Sequence, residues 1–243
     1  MTTSPRAEAL QFRAAGKCHV GLVRQRNEDQ FLIDDTLGLY LVADGMGGHY
    51  RGDIASETAC TEVRDNIADG MSLPAAVRSA NESILKHARN GDQRRPMGTT
   101  LVAVQTLQDH ARILWVGDSR VYLWRGELSR LSRDHSAVQQ LIDTGRISEA
   151  EARQHPHRNI ITQALGAFGN DELSLDSMEI ALQPGDRLLM CSDGLTGEVE
   201  DNIIDQLIRE NRNDPEQLTE LLVAEALDAG GHDNITVLVV AAD

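Results

Sequence analysis

Acidic residues that directly follow apolar segments restrict the fold of this sequence more than any other feature. The clearest example is the apolar run 39–43, which ends in Asp44 and continues into the glycine-containing segment 45–48. A short apolar run is typical of a buried strand, and glycine lets a backbone approach a ligand closely. The pattern predicts a strand that delivers the Asp44 carboxylate to a site.

Further acids lie at or near the ends of other apolar segments, namely Asp29, Asp118, Asp134, Asp193 and Asp233. For a single Asp-Gly pair a tight turn is the simpler interpretation, since both residues are common in turns. Several such acids favour a shared site, because clustered carboxylates repel each other unless cations neutralise them. The sequence therefore predicts one site that holds more than one metal ion.

Charge and hydropathy narrow the classes of partner. The chain has 243 residues and a formal net charge of -15, which argues against nucleic acid and anionic membranes as partners. A substrate that carries phosphate would need local positive charge from cations or arginines. No apolar run is long enough to span a membrane, and the N-terminus lacks the apolar core of a signal peptide, so we expect a cytoplasmic protein.

The chain length suits one domain with a full core. We expect residues 1–9 to form a flexible tail and residues 10–243 to form a single domain. The three cysteines, Cys18, Cys60 and Cys191, are odd in number and lack CxxC spacing. They predict neither a disulfide framework nor a zinc site.

Apolar patterning predicts the order of strands and helices. Strands are expected at residues 19–24, 30–34, 38–43, 99–107, 111–116, 121–124, 127–131, 173–182, 186–191 and 235–241. Apolar residues recur every four positions from Ala55 to Ile67 and from Ala76 to Ala88, which predicts two surface helices. Two more helices are expected at residues 201–210 and 215–227.

The connections between these elements indicate the architecture. The strands between residues 99 and 131 are joined by short turns, so we expect them to pair antiparallel. Residues 136–170 contain few large apolar residues and are expected to form a helical flap near the cleft, with a plain surface hairpin as the simpler interpretation. The whole order fits an α+β fold, in which two antiparallel sheets form a sandwich with helices outside both.

The chemistry of the predicted site follows from its ligands. Carboxylates, a glycine carbonyl and water are hard oxygen ligands that suit Mg²⁺ or Mn²⁺ better than zinc. Two such ions can lower the pKa of a shared water and direct it at phosphorus. Arg24 can bind two phosphate oxygens through its planar guanidinium and offset the acidic field.

Taken together, the motifs resemble those of the PPM family, the metal-dependent protein serine/threonine phosphatases of type 2C, in the compact bacterial form. The resemblance covers nearly the whole chain, in order. Its segments are GLVRQRNED at 21–29, DGMGG at 44–48, GTT at 98–100, GDSR at 117–120, DH at 134–135, SDGL at 192–195 and DNIT at 233–236.

This resemblance implies a catalytic domain that hydrolyses phosphoserine and phosphothreonine by direct in-line attack of a water that bridges two Mn²⁺ or Mg²⁺ ions. Asp44, the Gly45 carbonyl, Asp193 and Asp233 would hold the two ions, Asp29 would act through water, and Arg24 would hold the substrate phosphate. Asp134, with Asp193, would bind a third, weaker ion. Asp118 and Arg120 would instead brace a turn.

The sequence departs from some eukaryotic relatives at one position. They place a histidine directly after the Asp-Gly pair, where it can protonate the leaving alkoxide, and this chain has Met46. A metal-bound water is then the first choice as proton source, and His49 is the second.

Two other functions remain open from the sequence. Cys18 and Arg24 fit the Cys-x-x-Gly-x-x-Arg pattern of cysteine-dependent phosphatases, although the apolar residues between them suit a strand and not the helix N-terminus that lowers a thiol pKa. An inactive metal-binding regulatory module of the same fold is the second alternative. For the phosphatase, the resemblance implies phosphoprotein substrates and a bacterial serine/threonine kinase of eukaryotic type as the opposing enzyme.

Overall fold

The structure is a computed structural model that describes residues 10–46, 51–90 and 97–243. Its strands are β1 (Phe12–His19), β2 (Asp29–Asp34), β3 (Leu39–Met46), β4 (Gly98–Thr99), β5 (Leu101–Leu107), β6 (His110–Val116), β7 (Arg120–Trp124), β8 (Leu128–Arg130), β9 (Asp176–Ala181), β10 (Arg187–Cys191) and β11 (Ile235–Ala242). Its helices are α1 (Gly52–Ala68), α2 (Leu73–Asn90), α3 (Ala137–Asp143), α4 (Glu149–Arg153), α5 (Asp193–Thr196), α6 (Asp201–Asn211) and α7 (Pro215–Asp228).

The strands form two antiparallel sheets. One sheet has the order β1-β11-β10-β7-β8, and the other has the order β2-β3-β5-β6-β9, with β4 paired to β3. Apolar residues of both sheets, such as Val42, Ile113, Met190 and Leu238, pack in a shared core between them. The predicted sandwich of two antiparallel sheets is confirmed.

The outer face of each sheet is covered by a helix pair. Alternate residues of β3, including Leu39 and Leu41, pack with α1 and α2, while Tyr40 and Val42 face the other sheet. The helices α6 and α7 pack in the same way on β10 and β11. Because both faces of the inner strands are covered, β11 is buried along its whole length, which explains its continuous apolar sequence.

Most predicted elements are present, and α1, α2, α6 and α7 lie close to the predicted ranges. The strand predicted at residues 19–24 is wrong, because β1 ends at His19 and the chain then forms a loop. Ala15 is the one buried residue of β1, and its other residues are at least partly exposed. The sequence of this edge strand therefore lacks the run of large apolar residues from which the other strands were predicted.

The pairing predicted for all strands between residues 99 and 131 is also partly wrong. The strands β5 and β6 pair with each other, but β7 pairs with β10 and β8 in the other sheet. The chain crosses between sheets at residues 117–119, where Gly117 has a φ of +102°. His135 fixes this crossing, since its backbone N–H donates to the Gly117 carbonyl at 2.8 Å and its Nδ1 accepts from the Gly117 N–H at 3.2 Å.

Several predictions concern residues or divisions that the structure does not test. The tail at residues 1–9 and His49 lie outside the described residues, and the single-domain division remains a prediction. Within the predicted flap, α3 and α4 are short helices. In the described part of the chain, no helix is both long and apolar enough to cross a membrane.

We predict that Gly117→Ala lowers the free energy of unfolding by about 3 kcal/mol. An alanine Cβ there would lie 2.5 Å from Thr100 Cγ2, in a left-handed backbone conformation that disfavours side chains. Gly126→Ala is the matched control, because Gly126 also has a positive φ but open space around it. Gly126→Ala should lower the free energy of unfolding by only about 1 kcal/mol. Urea denaturation of both variants measures the difference, and equal losses would contradict a crowded crossing.

Candidate metal centre between the two sheets

Asp44 lies at the end of β3, where its backbone is held and its side chain faces the gap between the sheets. The Thr100 N–H and the Thr99 hydroxyl both donate to the Asp44 carbonyl at 2.9 Å. On the neighbouring strand, Asp29 lies directly opposite Asp44 in the β2–β3 register. Two acids therefore share one end of this sheet.

The other sheet brings Asp193 and Asp233 to the same end. Asp193 follows β10 and begins α5, and Asp233 immediately precedes Asn234 and β11. The backbones approach closely, since a Cβ on Gly194 would overlap the Asn234 carbonyl. A side chain at position 194 would push the two acids apart.

Asp29 joins the two sheets through its side chain. Its Oδ2 accepts hydrogen bonds from the hydroxyls of Ser192 and Thr236, each at 2.8 Å. The side chain is buried, and its Oδ1 has no hydrogen-bond partner. The pKa of Asp29 is raised to about 7, mainly by burial and also by the nearby charges of Asp193 and Asp233, while the hydrogen bonds from the two hydroxyls oppose the rise.

Burial and neighbouring charges also raise the pKa values of the other acids. Burial, followed by the charges of Asp29 and Asp193, raises the pKa of Asp44 well above its usual range. Burial and the charge of Asp233 also raise the pKa of Asp193. Buried oxygens without partners remain on Asp29, Asp118 and Asp193. Clustered carboxylates with free oxygens are the chemistry that divalent cations neutralise, so the donor set fits Mg²⁺ or Mn²⁺.

Arg24 supplies positive charge at the edge of this cluster. Its Nη2 donates to Asp233 Oδ2 at 2.6 Å, and this hydrogen bond raises the pKa of Arg24. The Arg24 side chain is 55% exposed. A substrate can therefore contact this side chain without a rearrangement that would first expose it.

The acids do not yet form a finished ligand set. Within residues 10–46, 51–90 and 97–243, no three His, Cys, Asp or Glu side chains are arranged to hold a metal ion. Arg24 engages Asp233, one of the three predicted carboxylate ligands. Joint ligation by Asp44, Asp193 and Asp233 therefore stays a prediction.

The Gly45 carbonyl, predicted as a ligand, belongs to a tightly packed backbone. The Gly45 N–H donates to the Glu28 carbonyl at 3.1 Å, and a Cβ at this position would overlap the carbonyls of Glu28 and Gly52. Only glycine fits here. Met46 follows in β3, and residues 47–50, including His49, lie outside the described residues.

Asp134, and not Asp118, is the acid that pairs with Arg120. Arg120 binds Asp134, with Nη2 at 2.7 Å from Oδ2, and does not brace Asp118. Asp118 is buried with an unpartnered Oδ1, and burial and the charge of Asp193 raise its pKa well above the usual range. The motif at residues 117–120 placed Arg120 beside Asp118 in the sequence, and nothing in it pointed to Asp134.

The contacts of Cys18 argue against the cysteine-dependent alternative. Cys18 lies within β1, not at a helix N-terminus, and its Sγ is 2.8 Å from Thr236 Oγ1. Burial raises the pKa of the Cys18 thiol, whereas a nucleophilic cysteine needs a lowered one. Arg24 points to Asp233 and not to the sulfur.

Asn234 is a residue whose role the sequence reasoning missed. Its Oδ1 accepts from the Glu28 N–H at 2.8 Å, and its Nδ2 donates to the carbonyls of Val20 and Arg26 at 2.9 and 2.8 Å. These bonds fix the loop that carries Arg24 against the loop that carries Asp233. A polar residue directly before a continuous apolar strand was the available signal.

A cleft of about 570 Å³ opens beside the acids. Its lining includes the acids Asp118 and Asp193, together with Arg153 and Arg158 of the flap and Glu200 of the loop before α6. The flap therefore borders the cleft, as the sequence predicted.

Comparisons with known proteins agree with this arrangement. A family model described as Protein phosphatase 2C matches residues 16–227. The serine/threonine phosphatase stp of Listeria monocytogenes is 38% identical over 237 residues, which cover 92% of this chain and 93% of that protein. The serine/threonine protein phosphatase PstP of Mycobacterium tuberculosis is 38% identical over 239 residues, which cover 95% of this chain and 45% of that protein.

Solved structures match as well. The catalytic domain of serine threonine protein phosphatase PstP in complex with 2 manganese ions has a TM-score of 0.85 and 33% identity. The match covers 96% of this chain and 99% of that one. The identity is high enough to relate the two proteins by family as well as by fold.

We predict that the metal-free protein loses stability as pH rises from about 4 to about 7. The pKa of Asp29 is raised in the folded state to about 7 from an ordinary value of 3.8, so its protonated form favours folding. That stabilisation is complete below about pH 4 and is lost as pH rises through about 7, a change of about 2–4 kcal/mol.

Urea denaturation in a chelator at several pH values measures this slope. Asp29→Asn should flatten it, whereas Asp171→Asn, a change at an exposed acid, should leave it unchanged. Added Mn²⁺ should stabilise the protein more at pH 7 than at pH 5, because metal ligands must be deprotonated. An identical slope in the wild type and Asp29→Asn would contradict the prediction.

Proposed function

The chain belongs to the protein phosphatase 2C family of metal-dependent serine/threonine protein phosphatases, and we propose that the acidic cluster between its two sheets is the active site. One observation supports this most directly. Asp29 of one sheet is bound by Ser192 and Thr236 of the other, which brings Asp44 and Asp193 together with buried, unpartnered oxygens beside them.

Asp44, Asp193, Asp233 and the Gly45 carbonyl would hold two Mn²⁺ or Mg²⁺ ions. When bound, such ions supply Lewis acidity and a water of lowered pKa that attacks phosphorus directly, without a covalent enzyme intermediate. Asp29 would accept a hydrogen bond from a metal-bound water through its free Oδ1. Asp118, together with Asp193, replaces Asp134 as our candidate for holding a third, weaker ion, because Arg120 already neutralises Asp134.

Arg24 would bind the substrate phosphate. In the structure its guanidinium is hydrogen-bonded to Asp233, and more than half of the side chain is exposed. A bound cation would take over the neutralisation of Asp233 and free the guanidinium for two phosphate oxygens. The same side chain would therefore neutralise the site before ligands bind and orient the substrate afterwards.

The proton for the leaving serine or threonine oxygen has no assigned side chain. Met46 cannot donate one, and burial holds the Cys18 thiol protonated at a site that faces Thr236. Solvent at the metal site is the source that we propose. The inactive-module alternative is disfavoured because Arg24 and the predicted carboxylate ligands are all present at one end of the sandwich.

The partners follow from the family. The substrates are phosphoproteins, and we propose that a bacterial kinase of eukaryotic type phosphorylates them. A cytoplasmic location also remains a proposal from the sequence. The substrate chain would pass through the cleft beside the flap, which Arg153 and Arg158 help to line. We therefore propose that the flap contributes to substrate selection.

We predict that the protein dephosphorylates phosphoserine and phosphothreonine peptides faster than phosphotyrosine peptides, and that a chelator abolishes this activity. Added Mn²⁺ or Mg²⁺ should restore it. Asp193→Asn should lower kcat by about 100-fold or more, since it removes a proposed metal ligand. Phosphate release from a phosphopeptide panel measures these rates.

Cys18→Ser is the control in this experiment. It should retain activity within about twofold, because Cys18 takes no part in the proposed chemistry. Loss of activity in Cys18→Ser, or no turnover by the wild type in saturating Mn²⁺, would overturn the assignment.

We predict different effects for substitutions of Asp118 and Asp134. Asp118→Asn should raise the Mn²⁺ concentration for half-maximal activity by about 10-fold and stabilise the metal-free protein, because a repelling charge is removed. Asp134→Asn should instead lower the free energy of unfolding by about 3 kcal/mol, because Arg120 loses a largely buried partner. Metal titrations and urea denaturation measure both effects. A metal requirement that changes in Asp134→Asn but not in Asp118→Asn would instead support Asp134 as the residue that holds the third ion.

A further inference from the structure

Two exposed apolar side chains stand directly before the proposed phosphate ligand. Few large apolar residues are exposed in the described part of the chain, namely Leu22, Val23, Ile54, Met71 and Ile160. Leu22 is 66% exposed and Val23 is 62% exposed, and they are the only neighbours in sequence among these five. Arg24 follows them immediately. Their position, rather than their exposure alone, calls for an explanation.

The backbone under these side chains is held in place. The Leu22 N–H donates to the Gly231 carbonyl at 2.7 Å. Gly21 has a φ of +80° and packs so closely on the Asp233 carbonyl that a Cβ would overlap it. The Asn234 amide donates to the carbonyls of Val20 and Arg26, one on each side of the pair. Leu22 and Val23 are therefore presented by a loop that is anchored at both ends.

The loop is anchored to the same segment that carries Asp233. A Cβ added to Gly231 would lie 3.1 Å from Leu22 Cγ, so Leu22 rests on this segment. Arg24 binds Asp233 from the same loop. The apolar pair thus continues the edge of the proposed active site, and any peptide whose phosphate reaches Arg24 passes close to it.

A substrate side chain next to the phosphorylated residue fits this surface. Neighbouring Cα atoms in a peptide are about 3.8 Å apart, so that side chain stays near the phosphate-binding arginine. An apolar side chain would remove Leu22 and Val23 from water, and little ordering is needed because the loop is already fixed. An acidic side chain would instead meet the field of a chain whose net charge is -15.

We propose that Leu22 and Val23 form a docking surface for an apolar side chain adjacent to the phosphorylated serine or threonine. The proposal rests on the proposed function, because it requires Arg24 to hold the phosphate. It makes Leu22 and Val23 determinants of specificity, not catalytic residues.

The test uses phosphoserine peptides that differ only in the residue before or after the phosphoserine, with leucine, alanine or glutamate in that place. The wild type should show a kcat/KM about 5- to 10-fold higher for a leucine peptide than for its alanine counterpart. The double variant Leu22→Ala, Val23→Ala should lose this preference through a higher KM for the leucine peptide. Its kcat/KM for the alanine peptide should stay within about twofold of wild type.

Two further variants, one conservative and one at a different site, make the test more specific. Val23→Thr preserves the branched shape and replaces a methyl with a hydroxyl, so it should reduce the leucine preference without disturbing the fold. Met71→Ala removes another exposed apolar side chain, on the turn between α1 and α2, and should leave the preference unchanged.

The outcomes separate this proposal from the proposed function. Hydrolysis of all peptides by the wild type at equal kcat/KM overturns the docking surface and leaves the phosphatase assignment intact. An equal loss on the leucine and alanine peptides in the double variant also overturns it, since that result indicates a role without specificity. No hydrolysis of any peptide with saturating Mn²⁺ overturns the proposed function, and the docking surface with it.

Discussion

Repulsion among buried carboxylates is the constraint on which the rest of this structure depends. Asp29, Asp44, Asp118 and Asp193 meet at one end of a sandwich, and burial and mutual repulsion raise the pKa of each. Such a cluster opposes folding unless its charge is neutralised. The fold tolerates it because β3 and β10, which lead to Asp44 and Asp193, are largely buried and paired with strands on both sides. Burial of the apolar layers supplies the free energy of folding that offsets this repulsion, and the acids form a site for cations.

The two sheets are held at this end by polar contacts, not by apolar packing alone. Asp29 accepts hydroxyl hydrogen bonds from the opposite sheet, and Asn234 ties the loop before β2 to the loop before β11. Glycine at positions 21, 45 and 194 lets these backbones approach more closely than any side chain would allow. The spacing of the acids is thus set by backbone contact, which is stiffer than side-chain contact.

The sequence predicted the layers better than the connections between them. Periodic apolar residues identified α1 and α2, and the continuous apolar run 39–43 marked a buried strand, but only the structure showed that a helix pair covers one of its faces and a sheet the other. The switch of sheets between β6 and β7 left no periodic signal, because both strands are apolar and only Gly117 marks the crossing. For the site, acids at strand ends identified the cluster. The partner of Arg120 could not be predicted, since Asp118 and Asp134 come together only through the fold.

Arg24 shows how one side chain can suit both states of such a site. Its positive charge lies against Asp233 at 2.6 Å, so it offsets part of the repulsion among the acids without a metal ion. A divalent cation carries twice the charge and accepts several oxygen ligands, so it neutralises the cluster more completely than one guanidinium. Because Arg24 is more than half exposed, its release from Asp233 exposes no buried charge. The arginine can therefore turn to an incoming phosphate while its anchored loop, with Leu22 and Val23, keeps its place.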